Sequence, residues 1–224
     1  MHPEGLRRVH RFLARHSLYP LLLASFLVVL LLAMRLVRSG ERVFLGMPWN
    51  LFLAWIPYLA SLWVLRLHRA RPGRWWALLI PSGLWLAFFP NAPYLLTSFW
   101  HLHPRPFVPE WFDIGLLLLL AVTGLLLGIL SLRAMQRVVE HYFGRLLGWL
   151  FVLVSLGLCG LGIYLGRFLR WNSWDLLLNP RGVLADVAVR LANPTDYAQT
   201  YGVTLLFAAI LLVCYLTLTS REQA

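Results

Sequence analysis

Lysine is missing from this 224-residue chain, cysteine occurs twice, and acidic residues number only nine. Cys159 and Cys214 both fall within apolar runs and form no CxxC pair. That pattern excludes a zinc ribbon and a disulfide scaffold, and leaves the two thiols as small packing groups. No GxSxG elbow and no HExxH helix occurs, and no Ser or Cys stands beside an obvious base. Neither a nucleophilic hydrolase nor a zinc hydrolase therefore has a motif to rest on. The scarcity of acid gives a net charge of +11, carried entirely by arginine. A basic balance of this size can mark nucleic-acid binding. Here the arginines sit at the ends of apolar runs, where membrane topology accounts for them, and no nucleic-acid partner is expected.

What the chain has in excess is apolar surface. It is 60% hydrophobic with a mean hydropathy of +0.70, well above soluble domains at about 45–50% apolar. Leu18–Met34 and Gly115–Leu132 carry no charge. A helix that crosses a bilayer needs roughly 20 apolar residues, and its backbone must satisfy its own hydrogen bonds there. Arg7, Arg8, Arg11 and Arg15 precede the first run in the manner of a signal peptide. The run is too long for one, however, and Arg35 and Arg38 follow it where a small-residue cleavage site would stand. It reads as an uncleaved first helix.

Hydrophobic runs place helices near 17–37, 48–67, 75–89, 111–133, 146–169 and 198–219. The expected fold is all-α, a polytopic transmembrane bundle of six helices forming one integral membrane domain over 1–224. Twelve arginines lie on one side: four before the first helix, four in the second loop, three in the fourth loop, and Arg221. Eight lie on the other, so the positive-inside rule places both termini and the basic 1–16 segment in the cytoplasm. The third run should break at Pro90, which removes a backbone donor and disfavours a helical Phe89. Asn91 is then expected to cap a second piece near 92–103, with Tyr94, Thr97 and His101 on one face. Within the outer 171–196 segment, Val183, Leu184, Val187 and Leu191 form an apolar stripe, with Asp186 and Arg190 at i, i+4. This predicts a helix lying along the interface. Gly124-x-x-x-Gly128 and Gly162-x-x-x-Gly166 permit close helix approach, inside the chain or between copies, so oligomerisation through these faces is left open.

With this topology the unusual polar residues gather at the outer face: Asn50, Asn91, Tyr94, Thr97, His101, Asp113, Arg167, Arg170, Asn172 and Asp175. Each has a plainer explanation. Arg167 and Arg170 can snorkel to headgroups. Glu110 and Asp113 can offset a helix dipole. Trp49, Trp100, Trp111, Trp171 and Trp174 can form an aromatic belt. His101 and His103 fall on different helix faces, so no metal site is expected.

Four stretches in order resemble one bacterial membrane family, the domain of unknown function 1361. They are Trp49-Asn50-Leu51-Phe52-Leu53-Ala54-Trp55-Ile56-Pro57, Phe89-Pro90-Asn91-Ala92-Pro93-Tyr94, Trp111-Phe112-Asp113, and Gly166-Arg167-Phe168-Leu169-Arg170-Trp171-Asn172-Ser173-Trp174-Asp175. The resemblance runs from Trp49 to the last helix and implies a multi-pass membrane protein without assigned activity. In the family pattern Thr-Asp-x-x-His follows the broken helix. Here Ser98 follows Thr97, while His101 is kept. The missing carboxylate weakens metal and proton-relay readings.

The leading expectation is a protein of the bacterial inner membrane that binds an anionic lipid headgroup or lipid-linked substrate at the outer face, without a cofactor. Arg167 and Arg170 would supply charge, and the helix start after Asn91 would supply free backbone N–H groups. Asn50, Tyr94, Asn172 and Asp175 would complete the binding set. Asp113 and His101 are the candidates for acid–base work, and Asp113 the expected partner of Arg167. A small-solute or ion transporter is the alternative that a broken helix favours. A non-catalytic assembly protein is a third.

Overall fold

Charge-free apolar sequence becomes helix throughout the computed structural model, which describes residues 18–71, 73–103 and 107–220. The basic N-terminal segment with Arg7, Arg8, Arg11 and Arg15, and likewise Arg105 and Arg221, lie outside the described residues. Helix α1 is Leu18–Ser39 and α2 is Met47–Ala70, with Pro48 in its first turn, where the missing N–H costs nothing. A 3₁₀ turn, Trp75–Leu78, leads into α3, Leu79–Phe88. The short α4, Asn91–Tyr94, continues as a 3₁₀ helix over Leu95–His101. Then come α5 at Glu110–Phe168, α6 at Asp175–Leu178, α7 at Pro180–Ala192 and α8 at Ala198–Ser220.

The 59 residues of α5 form two helices. Gly144 has φ 82° and ψ 171°, a conformation open to glycine but not to a residue with a Cβ. The chain reverses there. A Cβ on Gly148 would collide with the Glu140 side chain, although eight residues along a straight helix would be about 12 Å away. Four described helices are long and apolar enough to cross a membrane, α5 among them. With α5 counted as two arms, and with the interrupted 75–101 segment, the bundle has its six transmembrane elements. The fourth element runs past its predicted end near 133 as far as the Gly144 turn. Arg133, Arg137 and Glu140 mark the end of the apolar run, but no helix breaker precedes Gly144, and Met135, Gln136 and Val138 are buried on the extension.

Both arms of α5 pack around the interrupted segment. A Cβ on Gly124 would overlap the Ala92 carbonyl oxygen, and one on Gly128 would stand 3.2 Å from Pro93 Cγ. On the second arm, a Cβ on Gly162 would lie 2.5 Å from Pro90 Cγ, while Gly160 lies against the Thr204 backbone of α8. The two small-residue motifs thus serve contacts within the chain. Trp85 is buried between the arms: its Nε1–H donates to Ser131 Oγ at 3.1 Å, and its ring stacks on Phe151. Leu22, Leu23 and Phe26 on α1, and Leu205, Leu206 and Val213 on α8, point outward and exposed. So much contiguous apolar surface suits hydrocarbon, not water.

The interruption of the third element is milder than a full break. Phe89 and Pro90 keep right-handed helical angles. The Tyr94 N–H still reaches the Pro90 carbonyl at 2.9 Å, and the Ala92 N–H reaches Phe89 at 3.3 Å. What Pro90 and Pro93 remove is their own donors. Asn91 is not the N-cap: Pro90 holds that place, with no side-chain cap. The helix expected within 171–196 is present as α7, with Asn179 accepting from the Gly182 N–H as its cap and an Asp186–Arg190 ion pair at 3.1 Å.

Candidate functional site

Three stretches of chain converge at the end of the bundle where α2 begins and α5 ends. Asn50 and Trp49 stand in the first turn of α2. Asn91 and Tyr94 come from the interruption. Asn172 and Ser173 come from the segment after α5. Together with Trp171 and the two glycines Gly162 and Gly166, they line a cavity of about 140 Å³.

A backbone turn brings the last stretch into place. The Trp171 N–H bonds the Leu165 carbonyl at 3.2 Å, six residues back, and Arg170 sits at φ 61°. This is the left-handed helix stop, usually made by glycine. An arginine there disfavours the turn by roughly 1–2 kcal/mol. The chain then doubles back over the cavity, and Asp175 Oδ2 secures it by accepting from the Asn172 N–H at 2.7 Å. Asn91 ties the stretches together: its Nδ2 donates to Ser173 Oγ at 2.6 Å and to the Phe88 carbonyl at 3.1 Å, across the interruption. Gly166 lets the Tyr94 ring come close, 3.4 Å from where a Cβ would stand.

Among the described residues, the side chains of Asn50 and Asn172 and the Tyr94 hydroxyl have no hydrogen-bond partner in the protein, and neither does Asn91 Oδ1. The cavity lining is therefore uncharged and mixed, with these open polar groups set beside aliphatic side chains such as Leu53, Leu165 and Val183. It offers hydrogen-bond donors and acceptors.

Four of the anticipated site residues, Asn50, Asn91, Tyr94 and Asn172, meet in this cavity. The other five do not line it. Arg167 bonds His101 Nε2 at 3.1 Å and lies over the Trp100 ring at 4.9 Å. Arg170 is exposed, and because α5 has already stopped it does not share a helix face with Arg167. His101 leaves the face of Tyr94 and Thr97: from Leu95 the helix is 3₁₀, with three residues per turn, which keeps i, i+3 together but rotates i+7 away. Thr97 accordingly donates to the Tyr94 carbonyl at 2.8 Å and is buried, while His101 is exposed. The free backbone N–H groups expected after Asn91 are not present as a set, since two are bonded and Pro93 has none.

Asp113 pairs with Arg35, not Arg167. Arg35 Nε and Nη2 meet the two carboxylate oxygens at 2.8 and 3.1 Å, with both residues 2% exposed. Glu41 lies 3.5 Å from Nη2, and the Phe44 ring lies 4.3 Å from the guanidinium carbon. Arg35 was legible only as one more flanking cation. Its place near the end of an otherwise uncharged helix, 78 residues from a carboxylate that opens another, was the signal. Among the described residues no three His, Cys, Asp or Glu side chains gather to hold a metal ion.

The family model described as "Protein of unknown function (DUF1361)" matches residues 49–214. The chain belongs to that family. The matched region contains every residue lining the cavity and leaves out α1 with Arg35. No curated protein and no solved structure matches the chain.

Proposed function

We propose that this DUF1361 protein binds the headgroup of an anionic lipid, or a lipid-linked anionic substrate, at the outer face of the bacterial inner membrane. The observation that carries the reading is the meeting of Asn50, Asn91, Tyr94 and Asn172, from three separate stretches, on one uncharged cavity. Their open polar groups are spent on no partner among the described residues and face the cavity together, so they are available to a ligand that enters it. Arg167 follows the lining residue Gly166 directly, and with Arg170 it supplies positive charge beside the mouth for a phosphate. The excess of arginine at the opposite end favours cytoplasmic termini, which puts the cavity outside. Cysteine labelling tests that orientation: His103→Cys should react with an impermeant reagent in intact cells and His141→Cys should not. Lipid mass spectrometry on the gently purified protein tests the binding. The wild type should carry an anionic lipid over the bulk composition, and the Arg167→Ala, Arg170→Ala variant should lose most of it. Equal lipid profiles for the two would end the reading.

Solute transport is the second reading. The interrupted helix forms one wall of the cavity, as substrate-binding helices of transporters do. Flux of a solute through proteoliposomes would favour it over headgroup binding.

A further inference from the structure

We infer that the group the cavity admits is an uncharged, hydroxyl-rich ring, the glycosyl unit of a lipid-linked headgroup. This rests on the cavity being the binding site, and names what enters it.

The lining contains no charged side chain. An anion withdrawn from water needs a fixed counter-charge or a full set of donors. Here the neighbouring cation, Arg167, is turned to His101 and Trp100. A phosphate therefore suits the rim and not the interior. The interior offers neutral groups of mixed character. Amides and the Tyr94 hydroxyl both donate and accept, and Asn91 Oδ1 can only accept, its own nitrogen being engaged by Phe88 and Ser173. A hydroxyl is the partner that satisfies either kind.

Two indoles complete the lining. The Trp171 Nε1–H is anchored by Asp186 Oδ2 at 2.7 Å. Trp49 stacks on Phe52 at 5.4 Å and leans on Trp174 at 6.4 Å. Both rings are held before any ligand arrives, which lowers the ordering cost of binding. Fixed aromatic surface beside hydroxyl-matching amides suits a sugar ring, whose C–H faces are apolar and whose edge is all hydroxyl. At about 140 Å³ the cavity is far below the roughly 300–1,000 Å³ of sites that enclose a drug-sized ligand. It takes one ring, leaving the linker and lipid outside.

The test uses the full chain in nanodiscs doped with one probe lipid at a time and read by native mass spectrometry. The probes are glucosyl-, galactosyl- and mannosyl-diacylglycerol, phosphatidylglycerol, and phosphatidylcholine as background. At least one neutral glycolipid should be retained over phosphatidylcholine. Tyr94→Phe and Asn50→Ala should each weaken that retention about tenfold, the loss of one hydrogen bond in an excluded site. Retention of the matching methyl glycoside without lipid would assign the same ring to a free sugar. If phosphatidylglycerol alone is retained, and Arg167→Ala, Arg170→Ala abolishes it, the glycosyl inference falls and headgroup binding stands. If no probe exceeds phosphatidylcholine, both fall. Glycolipid retention unchanged in folded Tyr94→Phe and Asn50→Ala would also overturn the inference, because the lipid would then sit elsewhere.

Discussion

Two polar regions lie at the same end of this bundle, and they are built on opposite plans. Around Arg35 and Asp113 the charges are full, the burial is nearly complete and every strong donor meets an acceptor. The lining around Asn50, Asn91, Tyr94 and Asn172 holds no charged side chain, burial is partial, and among the described residues four polar groups have no partner within the protein. The first region joins α1 to α5 and is complete without a ligand. The second is held open by Gly166, by the Asn91–Ser173 bond and by the turn at Arg170. Polarity alone would rank the ion pair first as a site. Satisfaction ranks it last, because a buried carboxylate held at both oxygens by a guanidinium already has its charge matched, whereas the uncharged amides have donors and acceptors with no partner among the described residues.

The largest expected effect comes from breaking the ion pair. Arg35→Ala leaves Asp113 as an unpaired buried charge, and Asp113→Ala leaves the buried Arg35 with only the longer contact to Glu41; the two side chains are only 1% and 3% exposed. A loss of about 3–5 kcal/mol is expected for either. Thermal unfolding of the purified protein in mild detergent should show it as a large fall in the transition temperature. The double variant Arg35→Met, Asp113→Leu should recover most of the loss, since no fully buried charge is left; Glu41, which also loses Arg35, is 31% exposed. A double variant as unstable as the singles would mean that the pair contributes more than mutual neutralisation.

A smaller effect separates packing glycines from idle ones on the same helix. Gly124→Ala would press a methyl into the Ala92 carbonyl oxygen, a backbone atom that cannot rotate away. Overpacking of this kind costs about 1–3 kcal/mol. It should also disturb the cavity, since Ala92 adjoins Asn91. Gly157→Ala meets nothing within 4 Å and should gain up to about 1 kcal/mol of helix propensity. If the two variants unfold alike, the close approach of α5 to the interruption is not what holds Asn91 in place.

Most of the fold was legible because hydrocarbon imposes one demand, an apolar helix long enough to cross, and Leu18–Met34 or Gly115–Leu132 can meet it in one way. The limits of that logic appear where charge returns. Arg133 ends an apolar run without ending a helix, because charge governs depth while Gly144 governs backbone. The site was half legible. Asn50, Asn91, Tyr94 and Asn172 stood out as amides and a phenol at the ends of apolar runs, and they meet. Arg170 did not behave as i, i+3 spacing implies, since nothing in Arg-Phe-Leu-Arg announces a left-handed residue that normally calls for glycine. His101 was displaced by a change of helix type that two prolines make possible but do not specify. Arg35 and Asp113 could each be noticed at the end of an apolar run, but their pairing needed tertiary information. Spacing rules reach three or four residues, whereas these two are 78 apart.

The smallest expected effect is the sharpest test of the contrast. Tyr94→Phe removes one hydroxyl that has no partner among the described residues, and leaves the ring packed beside Gly166. Asn50→Ala removes an amide in the same condition. Deleting a satisfied polar group from a protein interior costs about 1–3 kcal/mol, because its former partner is stranded. Here there is no former partner to strand. Stability should therefore change by no more than about 0.5 kcal/mol, the range of substitutions that break nothing, while bound lipid is lost. A fall of more than about 1 kcal/mol in ligand-free protein would show that the hydroxyl already supports the fold. The cavity would then join Arg35 and Asp113 as architecture, and the polar cluster would no longer mark a binding site.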